Sequence, residues 1–490
     1  MDRPALQHRL LGAMLAVPAA MGMLVTGAAL LLDEAVLVPA FLAPALALAA
    51  LAAALAHVGA RRRDGSPDGA DVPLGARLAT LAVGWAAVTA AGAVPLLVAA
   101  HLAPGEAAAT FARPLHALFE SVSGFTSTGL SVAPSPSELP ATVQLWRSLT
   151  QWVGGLGIAL LMLVVMNPSR DGGDPGSPEL DVGFGDGPRE RAARAWLVYL
   201  GLTAATGVAF ALAGASPWRA LNHALTAIST GGFTVTDDSL ASLPGAERAV
   251  AAAANLASAV SLGLWVALLG RVRPPAVFGA LGVFLALIGL ATLALAVEGV
   301  RAGGAVELTT ALFQVVSATT TAGFSTASLG EWRPSALAVL IVCMVVGGCS
   351  GSTAGGVKAD RVALLLQGLR WRLARLFDRA GPDTPVGGGR TMREARLEVE
   401  SAATLIALWG FTLLGGTCAL AFLLGDAHGI VAIGFEAASA MSGVGLSAGI
   451  VSASMPGGAE AVLVLLMWAG RLELVAALAL AALALGAARR

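Results

Sequence analysis

The sequence contains few charged residues, few cysteines and a single lysine, Lys358. Only 12% of its 490 residues are charged, whereas a soluble domain usually carries about 25%. The formal net charge of −1 argues against a general nucleic-acid-binding protein, which needs a basic surface. The three cysteines, Cys343, Cys349 and Cys418, show neither metal-ligand spacing nor a disulfide pattern, and we interpret them as small core residues.

Apolar residues are abundant instead: 56% of the chain is hydrophobic and the mean hydropathy is +0.77. Crossing a bilayer takes about 20 apolar residues. The sequence predicts ten spans, near residues 10–31, 35–58, 78–100, 143–166, 194–213, 249–270, 276–297, 335–349, 401–424 and 460–487. The first span is long and a second follows it, which favours retained helices over a cleaved signal peptide. We therefore expect an all-α polytopic membrane protein.

Arginine residues are distributed unevenly between the two sides of this predicted topology. With the N-terminus inside, the inner segments are 59–77, 167–193, 271–275, 357–398 and the C-terminus. Most arginines fall in these segments, including the series from Arg361 to Arg396. The outer side keeps only Arg113, Arg147, Arg219, Arg248, Arg301 and Arg333. This positive-inside asymmetry predicts that both termini are cytoplasmic.

Four segments too short to cross the membrane lie between alternate pairs of spans, at 114–131, 217–234, 306–325 and 429–447. Each ends in a similar phrase: TSTGLS (126–131), STGGFT (229–234), TTAGFS (320–325) and SGVGLS (442–447). Six positions before each phrase stands a polar residue: Glu120, His223, Gln314 and Glu436. Three positions before each phrase stands a hydroxyl-bearing residue: Ser123, Thr226, Ser317 and Ser439. This agreement predicts a fourfold internal repeat.

We expect each repeat to contain a span, a short re-entrant pore helix, a loop and a second span. Two extra spans precede the first repeat. The predicted boundaries are 1–75 for the extra spans, then 76–170, 188–273, 274–380 and 390–490 for the four repeats. The predicted architecture is therefore a pseudo-fourfold arrangement of helix, pore helix, loop and helix.

The composition of the four phrases favours a ring that selects cations. Irregular backbone is tolerated within a bilayer only where it is buried in protein or lines a water-filled cavity, so the loops should share one axis. Each loop follows the C-terminal, partly negative end of a short helix, which favours cations. Because the phrases contain neither carboxylates nor basic residues, carbonyl and hydroxyl oxygens would replace the hydration shell of a monovalent cation, partly as in potassium channels.

Glycine stands at the fourth position of every phrase, where positive φ would turn successive carbonyls toward one line. We expect Gly129, Gly232, Gly323 and Gly445 to converge on one axis toward the outer side. Hydroxyl groups at the first and sixth positions would add further oxygens. The candidate ion-binding residues are Thr126, Ser127, Thr128, Gly129, Ser229, Thr230, Gly231, Gly232, Thr320, Thr321, Ala322, Gly323, Ser442, Gly443, Val444 and Gly445.

Longer motifs extend the pattern beyond these phrases. FESVSGFTSTGLS, AISTGGFTVTDD, VVSATTTAGFST and ASAMSGVGLSAG resemble the four pore loops of the TrkH/KtrB family of bacterial potassium-translocating subunits. RSLTQWVGGLGI (147–158), GGCSGSTAGGVK (347–358) and GRLE (470–473) resemble helices of the same family. The two extra spans and PRERAARAWLVYLGLT (188–203) favour the TrkH branch.

This resemblance implies potassium uptake across the bacterial cytoplasmic membrane through a selectivity filter. It implies a pseudo-fourfold pore in one chain, paired into a homodimer, with K⁺ as the transported ion. It also implies a cytosolic nucleotide-binding partner of the TrkA/KtrA type, so that no organic cofactor is expected in this chain.

Two alternatives to a pore come from different functional classes. A K⁺/H⁺ or K⁺/Na⁺ symporter would favour inverted repeats, whereas these repeats each start inside, which argues for a pore. The sequence does not prove that coupling is absent. A membrane enzyme lacks support, because we find neither a nucleophile–base set nor a phosphate-binding loop in the sequence.

The eighth predicted span breaks into glycines. Gly347, Gly351 and Gly355 have the four-residue spacing of a close helix-packing face. So much glycine disfavours a continuous helix, and we expect an irregular intramembrane loop that acts as a gate below the filter. The candidate gate residues are Gly347, Gly348, Ser350, Gly351, Ser352, Thr353, Gly355, Gly356, Lys358 and Arg471.

Other residues have two interpretations each. Arg471 lies inside the last predicted span, where a charge is a functional candidate, although a salt bridge to another helix would also explain it. The segment from Arg361 to Arg396 would dock the regulatory partner, or it reflects topology alone. We interpret the stretch Gln151–Gly157 as helix packing, and the polar residues before the phrases as partners of neighbouring loops. Asp237 and Asp238 would concentrate cations or simply belong to a solvated loop.

Overall fold

The computed structural model describes residues 3–61, 73–103, 105–165, 188–270, 278–301, 307–377 and 392–488. In these ranges every regular element is helical. The α-helices are α1 (Arg3–Leu31), α2 (Val38–Arg61), α3 (Leu74–Leu102), α4 (Glu106–Ala109), α5 (Pro114–Phe125), α6 (Ala141–Val165), α7 (Pro188–Leu212), α8 (Pro217–Ile228), α9 (Gly245–Ala259), α10 (Leu262–Gly270), α11 (Phe278–Arg301), α12 (Leu308–Thr319), α13 (Pro334–Val346), α14 (Ala359–Leu376), α15 (Met392–Leu424), α16 (Ile430–Ser442), α17 (Gly457–Arg471) and α18 (Val475–Ala488). Short 3₁₀ turns occupy Ala35–Leu37, Thr110–Ala112, Pro136–Glu138, Leu329–Glu331 and Gly425–Ala427.

Six of the described helices are long and apolar enough to cross a membrane, or eight spans result if two bent helix pairs are each counted once. The six are α1, α2, α3, α7, α11 and α15, and the bent pairs are α9 with α10 and α17 with α18. The two remaining predicted spans fall on α6 and on α13, a helix of 13 residues. The chain is thus a multi-pass membrane protein.

The helices follow the predicted repeat, preceded by α1 and α2, which pack on each other and on α3. Repeat 1 contains α3, α5 and α6, and repeat 2 contains α7, α8 and the α9–α10 pair. Repeat 3 contains α11, α12 and α13, and repeat 4 contains α15, α16 and the α17–α18 pair. The short helices α5, α8, α12 and α16 are largely buried. Their burial places the four phrases inside the protein.

Two spans that the sequence predicts as continuous are sharply bent. The axes of α9 and α10 differ by 92°, and those of α17 and α18 by 106°. The second bend contains two consecutive left-handed residues that are not glycine, Glu473 (φ 53°) and Leu474 (φ 61°). Hydropathy does not detect these bends, because it records composition and not chain direction, and each whole stretch stays apolar on average. Dense glycine predicts an interruption in the eighth span, whereas these two bends contain no such glycine cluster and are not predicted from the sequence.

Much of the predicted inner surface lies outside the described residues. This applies to residues 62–72, 166–187, 271–277 and 378–391. Of the predicted docking segment, the structure describes α14 and the first part of α15. Arg361 at the start of α14 forms an ion pair with Glu473 at 2.6 Å, and Arg396 forms one with Glu400 at 2.8 Å. Arg372 is exposed.

Candidate functional site

The four phrases, which we call loops 1 to 4 in chain order, contact one another in a closed ring. At the fourth-position glycine of each loop, an added Cβ atom would lie within 3.0 Å of the third-position carbonyl oxygen of the next loop. The pairs are Gly129 with Gly231, Gly232 with Ala322, Gly323 with Val444 and Gly445 with Thr128. Real Cβ atoms do not approach other atoms this closely, so each position requires glycine. The structure thereby brings all four predicted glycines around a common centre.

Each loop contains two left-handed residues separated by one other residue. The fourth-position glycines have φ between 74° and 94°, which agrees with the sequence expectation. The second positions are also left-handed: Ser127 (φ 52°), Thr230 (φ 52°), Thr321 (φ 55°) and Gly443 (φ 64°). Only loop 4 has glycine there. A left-handed non-glycine residue costs of order 1–3 kcal/mol and persists only where the surroundings enforce it.

The aligned hydroxyl residue before each loop anchors the turn into it. The third-position N–H donates to its carbonyl: Thr128 to Ser123 at 2.9 Å, Gly231 to Thr226 at 2.8 Å, Ala322 to Ser317 at 3.0 Å and Val444 to Ser439 at 2.9 Å. In loops 1 and 4 the glycine N–H also donates to the serine hydroxyl, at 3.0 Å in both. These bonds hold the loop ends of the short helices in one conformation.

The polar residue six positions before the phrase binds the C-terminal end of loops 1, 3 and 4. Glu120 accepts hydrogen bonds from the Ser131 hydroxyl at 2.8 Å and from the Val132 N–H at 3.1 Å. Glu436 accepts from the Ser447 hydroxyl at 2.7 Å and from the Ala448 N–H at 2.8 Å. The carboxamide of Gln314 contacts the Ser325 hydroxyl at 2.8 Å in the same way. These side chains form hydrogen bonds with the adjacent loops, as expected from the sequence.

The hydroxyl groups proposed as extra oxygens are largely engaged elsewhere. The sixth-position serines of loops 1 and 4 donate to the glutamates just described. At the first position, Thr126 donates to the Val122 carbonyl and Thr320 to the Val316 carbonyl, both at 2.7 Å. The Ser442 hydroxyl is buried and has no hydrogen-bond partner among the described residues. The bonds to Val122 and Val316 use the hydroxyl hydrogens and leave lone pairs on the oxygens, so these hydroxyl groups stay candidate ligands beside the carbonyl oxygens.

In repeat 2, the residue six positions before the phrase does not bind its own loop. His223 is fully buried and packs on Phe210 and Phe324, and its two ring nitrogens have no hydrogen-bond partner in the part of the chain that the structure describes. Loop 2 is held instead from α6 of repeat 1. Gln151 Nε2 donates to the Gly231 carbonyl at 2.6 Å, and Gln151 Oε1 accepts from the Phe233 N–H at 3.0 Å.

Arg147, which also lies on α6, links the C-terminal ends of loops 1 and 2. Its Nε donates to Glu120 at 2.7 Å, its Nη1 donates to the Thr234 carbonyl at 3.2 Å, and its guanidinium stacks 4.2 Å from the Phe233 ring. The sequence treats Arg147 as one outer arginine among several and Gln151 as packing. The sequence does contain one indication of their role. Six positions before loops 1, 3 and 4 stands a carboxylate or carboxamide, whereas His223 stands before loop 2, so the groups that bind loop 2 have to come from elsewhere.

The remainder of the stretch Gln151–Gly157 does pack closely. An added Cβ atom at Gly154 would lie within 3.0 Å of the Phe125 backbone, and one at Gly155 within 3.0 Å of Ser229. The two glycines therefore allow α6 to approach the ends of α5 and α8. Asp237, for its part, accepts from the backbone N–H and hydroxyl of Ser137 at 2.9 and 2.6 Å, which ties repeat 2 to repeat 1.

Residues 347–358, here called the glycine-rich segment, form an irregular connection between α13 and α14. The segment contacts loops 3 and 4 and the end of the helix that precedes loop 2. Thr353 Oγ1 donates to the Ile228 carbonyl at 3.1 Å, at the end of the helix before loop 2. The Gly355 N–H donates to the Thr321 hydroxyl of loop 3 at 2.6 Å, and the Gly356 N–H donates to the Ser442 carbonyl of loop 4 at 3.0 Å.

The same segment fills the bend between α9 and α10. The Cys349 N–H donates to the Ala259 carbonyl at 3.0 Å, and the Leu262 N–H donates to the Gly351 carbonyl at 2.9 Å. Backbone groups that a continuous helix would pair internally are thus paired with the segment, as burial demands. Within the segment, Lys358 Nζ donates to the Ala354 carbonyl.

Arg471, at the C-terminal end of α17, contacts both the glycine-rich segment and repeat 1. Its Nη1 donates to the Thr353 carbonyl at 3.0 Å, and its Nη2 donates to the Gly154 and Gly155 carbonyls at 2.9 Å each. Its hydrogen-bond partners are carbonyl groups, whereas Glu473 pairs with Arg361. The rival interpretation, a salt bridge to another helix, does not describe these contacts. One guanidinium therefore joins repeats 1, 3 and 4.

Known proteins are similar to this chain in sequence and in fold. The sequence profile of the TrkH family, described as a cation transport protein, matches residues 68–272 and 284–488. The Trk system potassium uptake protein TrkH of Salmonella typhimurium is 33% identical over 388 residues, which cover 74% of this chain and 78% of that protein. Its counterpart from Vibrio parahaemolyticus is 31% identical over 417 residues, covering 80% and 81%.

The crystal structure of the potassium transporter TrkH from Vibrio parahaemolyticus superposes on the chain with a TM-score of 0.80 and 26% sequence identity. The superposition covers 98% of each chain. The family profile spans most of the sequence, and the whole arrangement of helices is shared. The chain belongs to the TrkH family of cation transport proteins.

Proposed function

We propose that this chain takes up K⁺ across the bacterial cytoplasmic membrane through the ring of four loops, which acts as a selectivity filter. The observation that carries the proposal is the closed ring of fourth-position glycines and neutral backbone oxygens. Carbonyl groups that replace a hydration shell select monovalent cations by their number, spacing and field strength. Two relatives named as potassium uptake proteins support the choice of K⁺.

The filter ligands would come from the first four residues of each loop. Left-handed conformations at the second and fourth positions change the direction of successive carbonyl groups. The short helices before the loops end at the ring, so their partly negative C-terminal ends favour a cation there. No formal charge is needed in the loops themselves.

The glycine-rich segment and Arg471 would form the gate. The segment contacts loops 3 and 4 and the end of α8 through the hydrogen bonds described above, so its displacement alters the path next to the filter. Arg471 adds a positive charge that opposes passage of a cation. The open state would require the segment to leave these hydrogen bonds, at a cost that a regulatory partner supplies.

The partner would be a cytosolic nucleotide-binding subunit that docks on the inner face, and the pore chain would form a homodimer with cytoplasmic termini. The relatives carry the name of a Trk system, which supports a multi-component assembly. The helix α14 follows the glycine-rich segment directly, and its Arg361 pairs with Glu473, two residues after Arg471. A force applied to α14 would therefore reach both sides of the gate.

A K⁺/H⁺ symporter is the second candidate, and one observation favours it. Glu460 and His116 are both buried, with His116 Nε2 3.7 Å from Glu460 Oε2, and neither Glu460 oxygen has a hydrogen-bond partner within the described ranges. A pore has no need of such a titratable pair.

Reversal potentials measured on the purified protein in liposomes separate the two candidates. A K⁺-selective pore gives a reversal potential that follows the K⁺ gradient and does not move with a pH or Na⁺ gradient. A reversal potential that shifts with the pH gradient at fixed K⁺ would establish coupling and overturn the pore. Equal permeability to K⁺ and Na⁺ would overturn the selectivity assigned to the four loops.

A further inference from the structure

Loop 2 is held differently from the other three loops. In repeats 1, 3 and 4, a side chain on the preceding short helix binds the outer end of its own loop. In repeat 2, the equivalent residue is His223, whose ring nitrogens have no hydrogen-bond partner among the described residues. Apart from the Gly231 N–H, which donates to the Thr226 carbonyl, the bonds that fix the backbone on both sides of Gly232 come from a different repeat.

Gln151 supplies these bonds from α6 of repeat 1. Its carboxamide donates to the Gly231 carbonyl and accepts from the Phe233 N–H, at 2.6 and 3.0 Å. These two residues flank Gly232, the ring glycine of loop 2. The backbone carbonyl of Gln151 also accepts from the Ser127 hydroxyl of loop 1 at 3.1 Å. One residue thus holds two adjacent loops.

The sequence of loop 2 is adapted to this contact. Gln151 is fully buried, and an added Cβ atom at Gly231 would lie within 3.0 Å of its side chain. The third position holds glycine only in loop 2, whereas the other loops have Thr128, Ala322 and Val444 there. A glycine at this position lets the carboxamide lie directly against the loop backbone.

We propose that Gln151 is a specificity-determining positioning residue: its carboxamide fixes the spacing of the loop 2 oxygens and thereby sets the preference for K⁺ over Na⁺. This inference rests on the proposed function of the ring. A loop that is free to move inward fits the smaller ion as well as the larger one, so loss of the brace reduces discrimination. The role requires one donor and one acceptor on the same planar group, which the neutral amide of glutamine provides without titrating.

The test uses the full-length protein in liposomes, with the K⁺/Na⁺ permeability ratio taken from reversal potentials. Gln151→Leu and Gln151→Met each remove both hydrogen bonds, and methionine keeps the length of the side chain without adding a charge. We expect the ratio to fall about tenfold in both variants, with K⁺ flux retained, because buried hydrogen bonds of this kind are worth up to about one factor of ten each.

Gln144→Leu is the matched control. Gln144 is a buried glutamine on the same helix, and its amide donates to the Pro136 and Leu139 carbonyls at 3.0 and 3.1 Å, outside the four loops. We expect its ratio to stay within about twofold of wild type. An equal loss in this control would attribute the effect to α6 packing and overturn the inference.

The remaining outcomes are also decisive. If the wild type prefers K⁺ over Na⁺ and both Gln151 variants keep the same K⁺/Na⁺ permeability ratio, the role of Gln151 is wrong and the proposed function of the ring stands. A wild type without K⁺ preference overturns the proposed function and the inference with it. If Gln151→Leu does not fold, Gln151→Met, whose unbranched side chain has nearly the same length as glutamine, still decides the question.

Discussion

Replacing Arg471 with alanine is expected to create K⁺ flux that does not depend on the regulatory partner. The guanidinium donates to three carbonyl groups, on Thr353 of the glycine-rich segment and on Gly154 and Gly155 of α6. The substitution removes both these bonds and the positive charge. It therefore removes the two features that we assign to the closed gate in this region.

The magnitude follows from the charge. Two unit charges about 4–5 Å apart repel by roughly 3–4 kcal/mol at an effective dielectric constant of ~20. Each 1.36 kcal/mol corresponds to about a factor of ten in rate. We therefore expect Arg471→Ala to raise partner-independent flux by about 10²–10³-fold. Arg471→Lys keeps the charge but loses the planar fork that reaches three carbonyls, so its flux should rise by less than about tenfold.

The assay is K⁺ or Rb⁺ influx into liposomes that contain the purified variant and no partner. Arg333→Ala is the control, because Arg333 is exposed and its ion pair is with Glu298 at 3.3 Å, away from the ring. Its flux should equal that of wild type. If Arg471→Ala protein folds, inserts and shows wild-type flux, the guanidinium is not part of the gate. A larger flux in Arg471→Lys than in Arg471→Ala would refute the electrostatic argument.

Three further predictions concern the filter, the gate and the partner. Gly323→Ser should lower the K⁺/Na⁺ permeability ratio, because its Cβ would collide with the Val444 carbonyl; Gly282→Ser on α11, where a Cβ meets nothing within 4 Å, should leave the ratio unchanged, and equal ratios in both would argue against the ring. Deleting residues 350–353 should raise partner-independent flux, since it shortens the glycine-rich segment that contacts loops 3 and 4; unchanged flux in a folded variant would contradict the gate. Deleting residues 380–390 or replacing Arg372 with glutamine should weaken co-purification with a co-expressed partner, and undiminished association would show that docking occurs elsewhere.

The sequence by itself determined the features that are set by local composition and by repetition. Four aligned phrases, each between two apolar stretches, predicted the repeat, the two extra helices and the position of the ring glycines. Dense glycine at 347–356 predicted an irregular connection, because glycine disfavours helix irrespective of its surroundings. Glycine also permits the positive φ at the fourth positions, because it has no Cβ atom. These properties are encoded within a few residues of where they appear.

Contacts between distant groups follow from the packing of the whole chain. The bends after α9 and within the last span are not detected by hydropathy, because hydropathy records composition and not direction. The left-handed serine and threonine at the second positions are unfavourable locally and persist only because the surrounding loops enforce them. Gln151 and Arg471 are a single amide and a single guanidinium whose partners lie 80 or more residues away in the chain. Nothing near them in sequence specifies those partners, since a buried polar side chain binds whichever backbone groups the packing leaves unpaired.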